Sequence, residues 1–156
     1  MTSRVGAGSA RRPTLVRWAA ALGCWVAFIW GHSLIQGPQS SLESGMVVAL
    51  LRPLFEALGV TDAGLMTLIV RKGAHFSEYA VLGVLACGLF HARLVERGRP
   101  PFPAAFLVAL VPVLDECLQL LVPGRTGQPT DVLIDLAGLC CGALLGVIWR
   151  ALRRRV

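Results

Sequence analysis

The chain has 156 residues, of which 55% are hydrophobic and 15% charged, and its formal net charge is +6. A soluble domain carries about 25% charged residues, and a disordered chain combines low hydrophobicity with high net charge, so the composition excludes both classes. A chain of this length forms one domain. We therefore expect a single all-α membrane domain over residues 1–156.

Four stretches of the chain are long and apolar enough to cross a membrane. A helix needs about 20 mostly apolar residues to span the hydrocarbon core of a bilayer. We predict transmembrane helices at residues 15–35, 73–92, 102–122 and 132–151, with basic tails at residues 1–13 and 152–156. The predicted fold is a four-helix transmembrane bundle.

The lysine and arginine residues predict how this bundle is oriented. With four spans, eleven of the fifteen fall on the side of the two termini and four on the opposite side, which we call the outer side. Lys and Arg are in excess on the cytoplasmic face of membrane proteins. Both termini are therefore expected in the cytoplasm.

The segment between the first two spans, residues 36–70, is expected on the outer side. Residues 37–38 (Gly-Pro) and 40–41 (Ser-Ser) should break the helix. The apolar residues that follow have helical spacing, and they are Val47, Leu50, Leu51, Leu54, Phe55 and Leu58. We predict an amphipathic helix in the outer membrane–water interface, kinked or divided at Pro53; the alternative is a flap packed over the mouth of the bundle. Asp62 is expected to cap a further short helix.

The scarce acidic residues are concentrated on the outer side. Glu96 is the one acidic residue expected in the cytoplasm, and eight others lie outside. Five of these eight fall at the outer ends of the last three spans: Glu78, Asp115, Glu116, Asp131 and Asp135. A charged side chain at bilayer depth costs about 2.5–3.5 kcal/mol, so these carboxylates need partners or a wet cavity. Five at one depth predict a shared pocket.

Helical geometry predicts that the polar residues of these three spans converge. Successive residues are about 100° apart around a helix, so residues three or four apart share a face. The polar faces comprise Lys72, His75, Glu78 and Tyr79 on the second span, Asp115, Glu116 and Gln119 on the third, and Asp131 and Asp135 on the fourth. Gly138, Gly142 and Gly146 continue the last face, and such small residues let a neighbouring helix approach closely. We therefore expect one pocket, open outward.

Taken together, these motifs resemble the VanZ-like family. Its pattern has K-x-x-H-F-x-E-Y at the start of one span, D-E-x-x-Q at the end of the next, an R in the following loop and D-x-x-x-N at the start of the last span. The matching residues are Lys72, His75, Phe76, Glu78, Tyr79, Asp115, Glu116, Gln119, Arg125 and Asp131. Ser33 takes the place of a serine that often follows the family's first span, and the resemblance extends from Ser33 to Gly146. Asp135 stands where the family usually has Asn, which adds a negative charge.

The resemblance implies a small multi-pass protein of the bacterial inner membrane. The family is named for an accessory determinant of resistance to glycopeptide antibiotics, which act on wall precursors outside the membrane. It therefore implies an effect on glycopeptide susceptibility and an outward pocket near the cell envelope.

Each candidate residue of the pocket has a structural alternative beside its functional interpretation. His75 and Glu78 form either an acid/base pair or a hydrogen bond on the helix surface. Lys72 is an interfacial anchor or a pocket cation that pairs with Glu78 or a ligand phosphate. Arg125 either closes the loop through a salt bridge to Asp115 and its neighbour Glu116, or holds a substrate phosphate or carboxylate.

The remaining alternatives concern Asp131 and metal binding. Asp131 is either a pocket residue or the N-cap of the last span. No cofactor is expected, although one His and five carboxylates could also hold a divalent metal ion.

Three functions agree with this pocket. The first is binding of an anionic envelope lipid or wall precursor by an integral protein of the lipid bilayer. The second is an enzyme that modifies such a lipid by acid/base or metal-assisted chemistry. The third function, a proton-coupled carrier, has the least support, because the cytoplasmic half of the predicted bundle lacks a polar pathway. No nucleic-acid partner is expected. The glycine ridge could pack within a monomer or across a dimer, and we favour the monomer.

Overall fold

The computed structural model describes residues 12–34, 37–98, 100–124 and 128–154. The described residues form five helices and no strand: α1 (Arg12–Ser33), α2 (Gly37–Ala57), α3 (Ala63–Arg97), α4 (Phe102–Gln119) and α5 (Pro129–Arg153). All except α2 are long and apolar enough to cross a membrane. The prediction of an all-α protein with four spans is therefore confirmed.

Helix α3 is a single helix of 35 residues. Asp62 is its N-cap, and the Asp62 carboxylate accepts a hydrogen bond of 2.6 Å from the backbone N–H of Leu65. The prediction that Asp62 is a helix cap is confirmed, but the prediction of a separate short helix before the second span is wrong. No proline interrupts residues 63–97, so the helix continues to Gly98, where φ is +59°. At 1.5 Å per residue α3 is about 52 Å long, which exceeds a hydrocarbon core of about 30 Å.

Helix α2 begins at Gly37 and continues through Pro53 to Ala57. Residues 40–41, predicted to break the helix, lie inside it, and Pro53 does not divide it. Phe55 is buried, whereas Leu50, Leu54 and Leu58 on the same predicted apolar face are exposed. An exposed apolar face favours contact with lipid over a flap that is buried on the bundle.

The bundle is organised around α3, which contacts each of the other four helices and packs most extensively against α5. A Cβ atom on Gly138 would collide with the backbone of Phe76, and one on Gly142 with the backbone of Ala80. The predicted glycine ridge therefore packs against α3 of the same chain. The buried core, which includes Ile29, lies alongside this contact.

The start of α1 and the end of α5 lie at the same end of the bundle. There the Glu96 carboxylate accepts a hydrogen bond of 3.1 Å from the backbone N–H of Leu15, and the Arg150 guanidinium lies 5.9 Å from the ring of Trp18. The opposite end, which we call the polar end, holds residues 32–33, 72–79, 115–119 and 131–135. That the polar end faces outward stays a prediction from the distribution of arginines.

Candidate functional site

The polar end brings together predicted site residues from four helices. Helix α4 ends at Gln119 and α5 begins at Pro129, so the end of α4 lies beside the start of α5. The residues in question are Ser33 on α1, Lys72, His75, Glu78 and Tyr79 on α3, Asp115, Glu116 and Gln119 on α4, and Asp131 and Asp135 on α5. Arg125, also predicted to belong to the site, lies outside the described residues.

Three of these residues, His75, Asp115 and Asp135, form what we call the central cluster. One nitrogen or oxygen atom from each lies within 4.8 Å of the other two, and His75 Nδ1 is 3.4 Å from Asp135 Oδ1. Both aspartates are 0% exposed, and the His75 side chain is 18% exposed. Asp135 reaches His75 because Gly138, less than one turn later, lets α5 approach the backbone of α3.

The central cluster contains several buried polar atoms without a hydrogen-bond partner among the described residues. They are His75 Nδ1, Asp115 Oδ1 and both carboxylate oxygens of Asp135. An ionised carboxylate that is removed from water costs several kcal/mol unless a partner offsets its charge. The cluster therefore requires protons or a cation to be stable at this depth.

Gln119 fixes the orientation of Asp115. Its side-chain N–H group donates to Asp115 Oδ2 at 3.3 Å and is also 3.4 Å from Ser33 Oγ. Gln119 and Ser33 are both buried. One Asp115 oxygen is held in this way, and an oxygen of the same carboxylate lies within 4.8 Å of ligand atoms of His75 and Asp135.

Lys72 forms an ion pair with Asp131, which joins α3 to α5. Of the alternatives considered for Lys72, pairing with Glu78 does not occur, because Glu78 contacts His32. Gln128 is the N-cap of α5 and Pro129 begins the helix, so Asp131 lies within the first turn and is not the cap. A carboxylate in the first turn still interacts favourably with the positive end of the helix dipole.

Glu116 closes the connection between α4 and α5. Its Oε2 accepts a hydrogen bond of 2.9 Å from the backbone N–H of Gln128, the residue at the start of α5. This contact stabilises the helix end, as carboxylates commonly do at helix N-termini. Glu116 Oε1 is buried and has no hydrogen-bond partner among the described residues.

Glu78 pairs with His32, a residue that the sequence analysis did not identify. Glu78 Oε1 is 2.9 Å from His32 Nδ1, and Glu43 Oε2 is 3.4 Å from His32 Nε2. His75 therefore pairs with Asp135 on α5 and Glu78 with His32 on α1. Both alternatives for His75 and Glu78, an acid/base pair and a hydrogen bond on the helix surface, had them contact each other. The adjacency of His32 to the predicted Ser33 was the one signal for it in the sequence.

Two cavities reach His75, one residue of the central cluster, from the surface. One, of about 190 Å³, is lined by Thr67, Lys72, Gln128 and Asp131, among others. The other, of about 230 Å³, lies between α2 and α3 and is lined by residues that include His32, Glu43, Ser44 and Val47. Arg71 and His75 line both cavities. Within the described residues Arg71 makes no ion pair, so its charge is available to a ligand.

A larger cavity of about 400 Å³ lies at the opposite end of the bundle. Its walls are mainly apolar and include Phe90 and Val147, with Arg150 and Arg154 at the rim. None of the predicted site residues lines it. This cavity is therefore separate from the candidate site.

A model of the VanZ/LLP1 family matches residues 18–150. The match covers most of the chain and includes every predicted site residue, and it confirms the resemblance seen in the sequence motifs. No curated protein and no solved structure matches the chain. The chain belongs to the VanZ/LLP1 family.

Proposed function

We propose that the protein binds a lipid-linked component of the bacterial cell envelope, with the anionic head group of the lipid at the polar end. The observation that carries this proposal is the position of Arg71, an exposed cation that makes no ion pair among the described residues and lines both cavities beside His75. A guanidinium group binds phosphate or carboxylate through two parallel hydrogen bonds.

The surroundings of Arg71 suit a ligand with a polar head and an apolar tail. The cavity between α2 and α3 has polar walls at His32 and Glu43 and an apolar wall at Val47 and Val70. Beside it, α2 exposes leucine side chains such as Leu50. A lipid tail in contact with α2 would remain in an apolar environment while its head group reaches Arg71.

The carboxylates determine how deeply an anionic head group enters. Glu43 and Asp131 line the two cavities, and the aspartates of the central cluster lie behind them. These charges repel a phosphate, so the head group should stay at the rim near Arg71. Together with the predicted outward orientation and the family membership, this arrangement supports an influence on glycopeptide susceptibility.

The enzyme alternative is supported by a different observation, the place of His75 at the inner wall of both cavities. A histidine with a carboxylate partner can transfer protons to or from a bound head group, and Asp135 is that partner. The carrier alternative has less support. Apart from Glu96, which accepts from the backbone of Leu15, the acidic residues lie at or toward the polar end.

Native mass spectrometry of the purified protein tests lipid binding. We would titrate it with a synthetic polyprenyl phosphate, phosphatidylglycerol and phosphatidylcholine. Arg71→Gln should weaken binding of both anionic lipids by about tenfold or more, since a hydrogen bond to a charged group contributes about 1.5–3 kcal/mol. Arg97→Gln, at the far end of α3, is the matched control and should bind like the wild type.

Two results would contradict the proposal. One is equal binding of anionic lipids by Arg71→Gln and the wild type, and the other is equal affinity of the wild type for phosphatidylcholine. The same samples separate a binder from an enzyme, because the masses of the added lipids change during incubation only if the protein catalyses a reaction.

A further inference from the structure

We propose that His75, Asp115 and Asp135 bind a divalent transition-metal ion of the Zn²⁺ or Mn²⁺ type. This site lies behind the rim at which the lipid head group is proposed to bind. It does not depend on that lipid, and it adds a function that the lipid proposal does not require.

The distances within the central cluster agree with a single ion. One atom from each of the three residues lies within 4.8 Å of the other two. In tetrahedral coordination, two ligand atoms that are about 2.0–2.2 Å from one Zn²⁺ ion are about 3.3–3.6 Å apart. His75 and Asp135 already have this separation, at 3.4 Å, and Asp115 needs to move toward them by at most about 1.5 Å, which a change of side-chain torsions allows.

The charge of the cluster also favours a divalent ion. Two fully buried aspartates carry two negative charges when ionised, and a neutral imidazole adds none. An ion of charge +2 balances them and would accept the lone pairs of the Asp135 oxygens and of Asp115 Oδ1. These buried atoms have no hydrogen-bond partner among the described residues, whereas Glu78 and Asp131 are paired.

Shared protons are the competing explanation, and the distance between His75 and Asp135 argues against it. A hydrogen bond between a protonated histidine and a carboxylate is about 2.7–2.9 Å long. The His75 Nδ1 to Asp135 Oδ1 distance is 3.4 Å, which is longer than such a bond but typical of two ligands of one metal ion.

The residues around the cluster provide the support that metal ligands usually have. Ligating carboxylates are commonly hydrogen-bonded through their second oxygen, which fixes their orientation. Gln119 binds Asp115 Oδ2 in this way and leaves Oδ1 free. The cavities that His75 lines give an ion a path from the surface.

The ligand set predicts the class of metal. One imidazole and two carboxylates suit Zn²⁺ or Mn²⁺, whereas Ca²⁺ takes 6–8 oxygen ligands and Mg²⁺ is usually held by carboxylates and water. With three protein ligands, an ion would keep a position open toward the cavities, as catalytic zinc ions do. Such a site would supply a Lewis acid next to the bound head group.

Metal content measured on the purified protein tests the inference. The protein would be stripped with chelator, incubated with Zn²⁺ or Mn²⁺ alone, desalted and analysed by inductively coupled plasma mass spectrometry. The wild type should retain about one ion per chain. Asp135→Asn combined with Asp115→Asn should retain less than a tenth of that amount.

Two controls keep the result interpretable. Glu56→Gln removes an exposed carboxylate that pairs with Arg52 on α2 and should retain the full amount of metal. Arg71→Gln should also retain it, so a failure of lipid binding and a failure of metal binding are distinguishable. Asn at position 135 is the usual residue of the VanZ-like pattern, so the Asp135→Asn substitution should leave the fold intact.

A second measurement uses the wild type alone. Metal that binds the folded protein raises its melting temperature, and we expect Zn²⁺ or Mn²⁺ to raise that of the stripped protein by several degrees. The inference is overturned if the wild type retains neither metal and shows no such shift. It is also overturned if the double aspartate variant retains as much metal as the wild type.

Discussion

Gly142 of α5 occupies the tightest contact between the two helices that carry His75 and Asp135. A Cβ atom at this position would collide with the backbone of Ala80, with the carbonyl oxygen nearest and the Cα atom 2.8 Å away. Carbon atoms in contact are normally about 3.5–4.0 Å apart, so Gly142→Ala requires α3 and α5 to separate by more than about 1 Å. The obstacle is backbone, which cannot rotate away as a side chain can.

The expected loss of stability follows from two opposing terms. Overpacking of this kind costs about 1–3 kcal/mol, and the upper part of that range applies because the backbone of Ala80 must move. Alanine favours the helix over glycine by about 1 kcal/mol. The difference gives a net destabilisation of about 2 kcal/mol for Gly142→Ala. The separation also moves Asp135 away from His75, so metal retention should fall with stability.

Gly73→Ala on α3 is the matched control, because a Cβ atom there would have no atom within 4 Å. This variant should be up to about 1 kcal/mol more stable than the wild type. Reversible unfolding in mixed detergent micelles, followed by circular dichroism, would measure both variants. The packing argument is refuted if Gly142→Ala is as stable as Gly73→Ala.

Three further predictions follow from the ion pair, the helix cap and the topology. In a double-mutant cycle, Lys72→Met and Asp131→Asn should show a coupling free energy of about 1 kcal/mol, measured by the same unfolding assay; additive effects would contradict the pair. Asp62→Ala should destabilise α3 by about 0.5–2 kcal/mol, and no change would contradict its capping role. A reporter that is active only outside the cytoplasm should be active when fused after Thr61 and inactive after Arg97; the reverse pattern would overturn the orientation.

The convergence of polar residues could be predicted from the sequence because it depends on helix periodicity. Asp135, Gly138 and Gly142 are separated by three and four residues, so they must share a face of any α-helix. The glycines identify that face as the one packed against another helix. Short connections between spans bring successive helix ends together, which places Asp115 and Asp135 at the same end of the bundle.

The partner of each charged residue could not be predicted in the same way. Periodicity determines which residues of one helix share a face, but not how far that helix is rotated toward each neighbour. His75 and Glu78 share a face of α3, yet they contact Asp135 on α5 and His32 on α1. Which partner each residue contacts depends on where α1 and α5 lie around α3. The sequence of one helix does not determine those positions.

The contacts made where α4 leads into α5 could not be predicted from the sequence either. Glu116 was expected to act in the pocket, but its carboxylate binds the backbone of Gln128 at the start of α5. This contact joins two residues of different helix ends, and the sequence alone does not determine how those ends lie beside each other. Of the two alternatives for Asp131, the N-cap is wrong, because Pro129 begins the helix two residues earlier.

Charge balance divides the predicted site into two sets of residues. Lys72 with Asp131 and Glu78 with His32 compensate each other across helices, so each member already has a role in holding the bundle together. The two fully buried aspartates, Asp115 and Asp135, lie beside one histidine, His75, which is charged only when protonated. Arg71, at the rim, makes no ion pair among the described residues. Chemistry at the polar end should therefore involve a cation held by the aspartates and an anionic group held by Arg71. Variants of the paired residues should act mainly through stability.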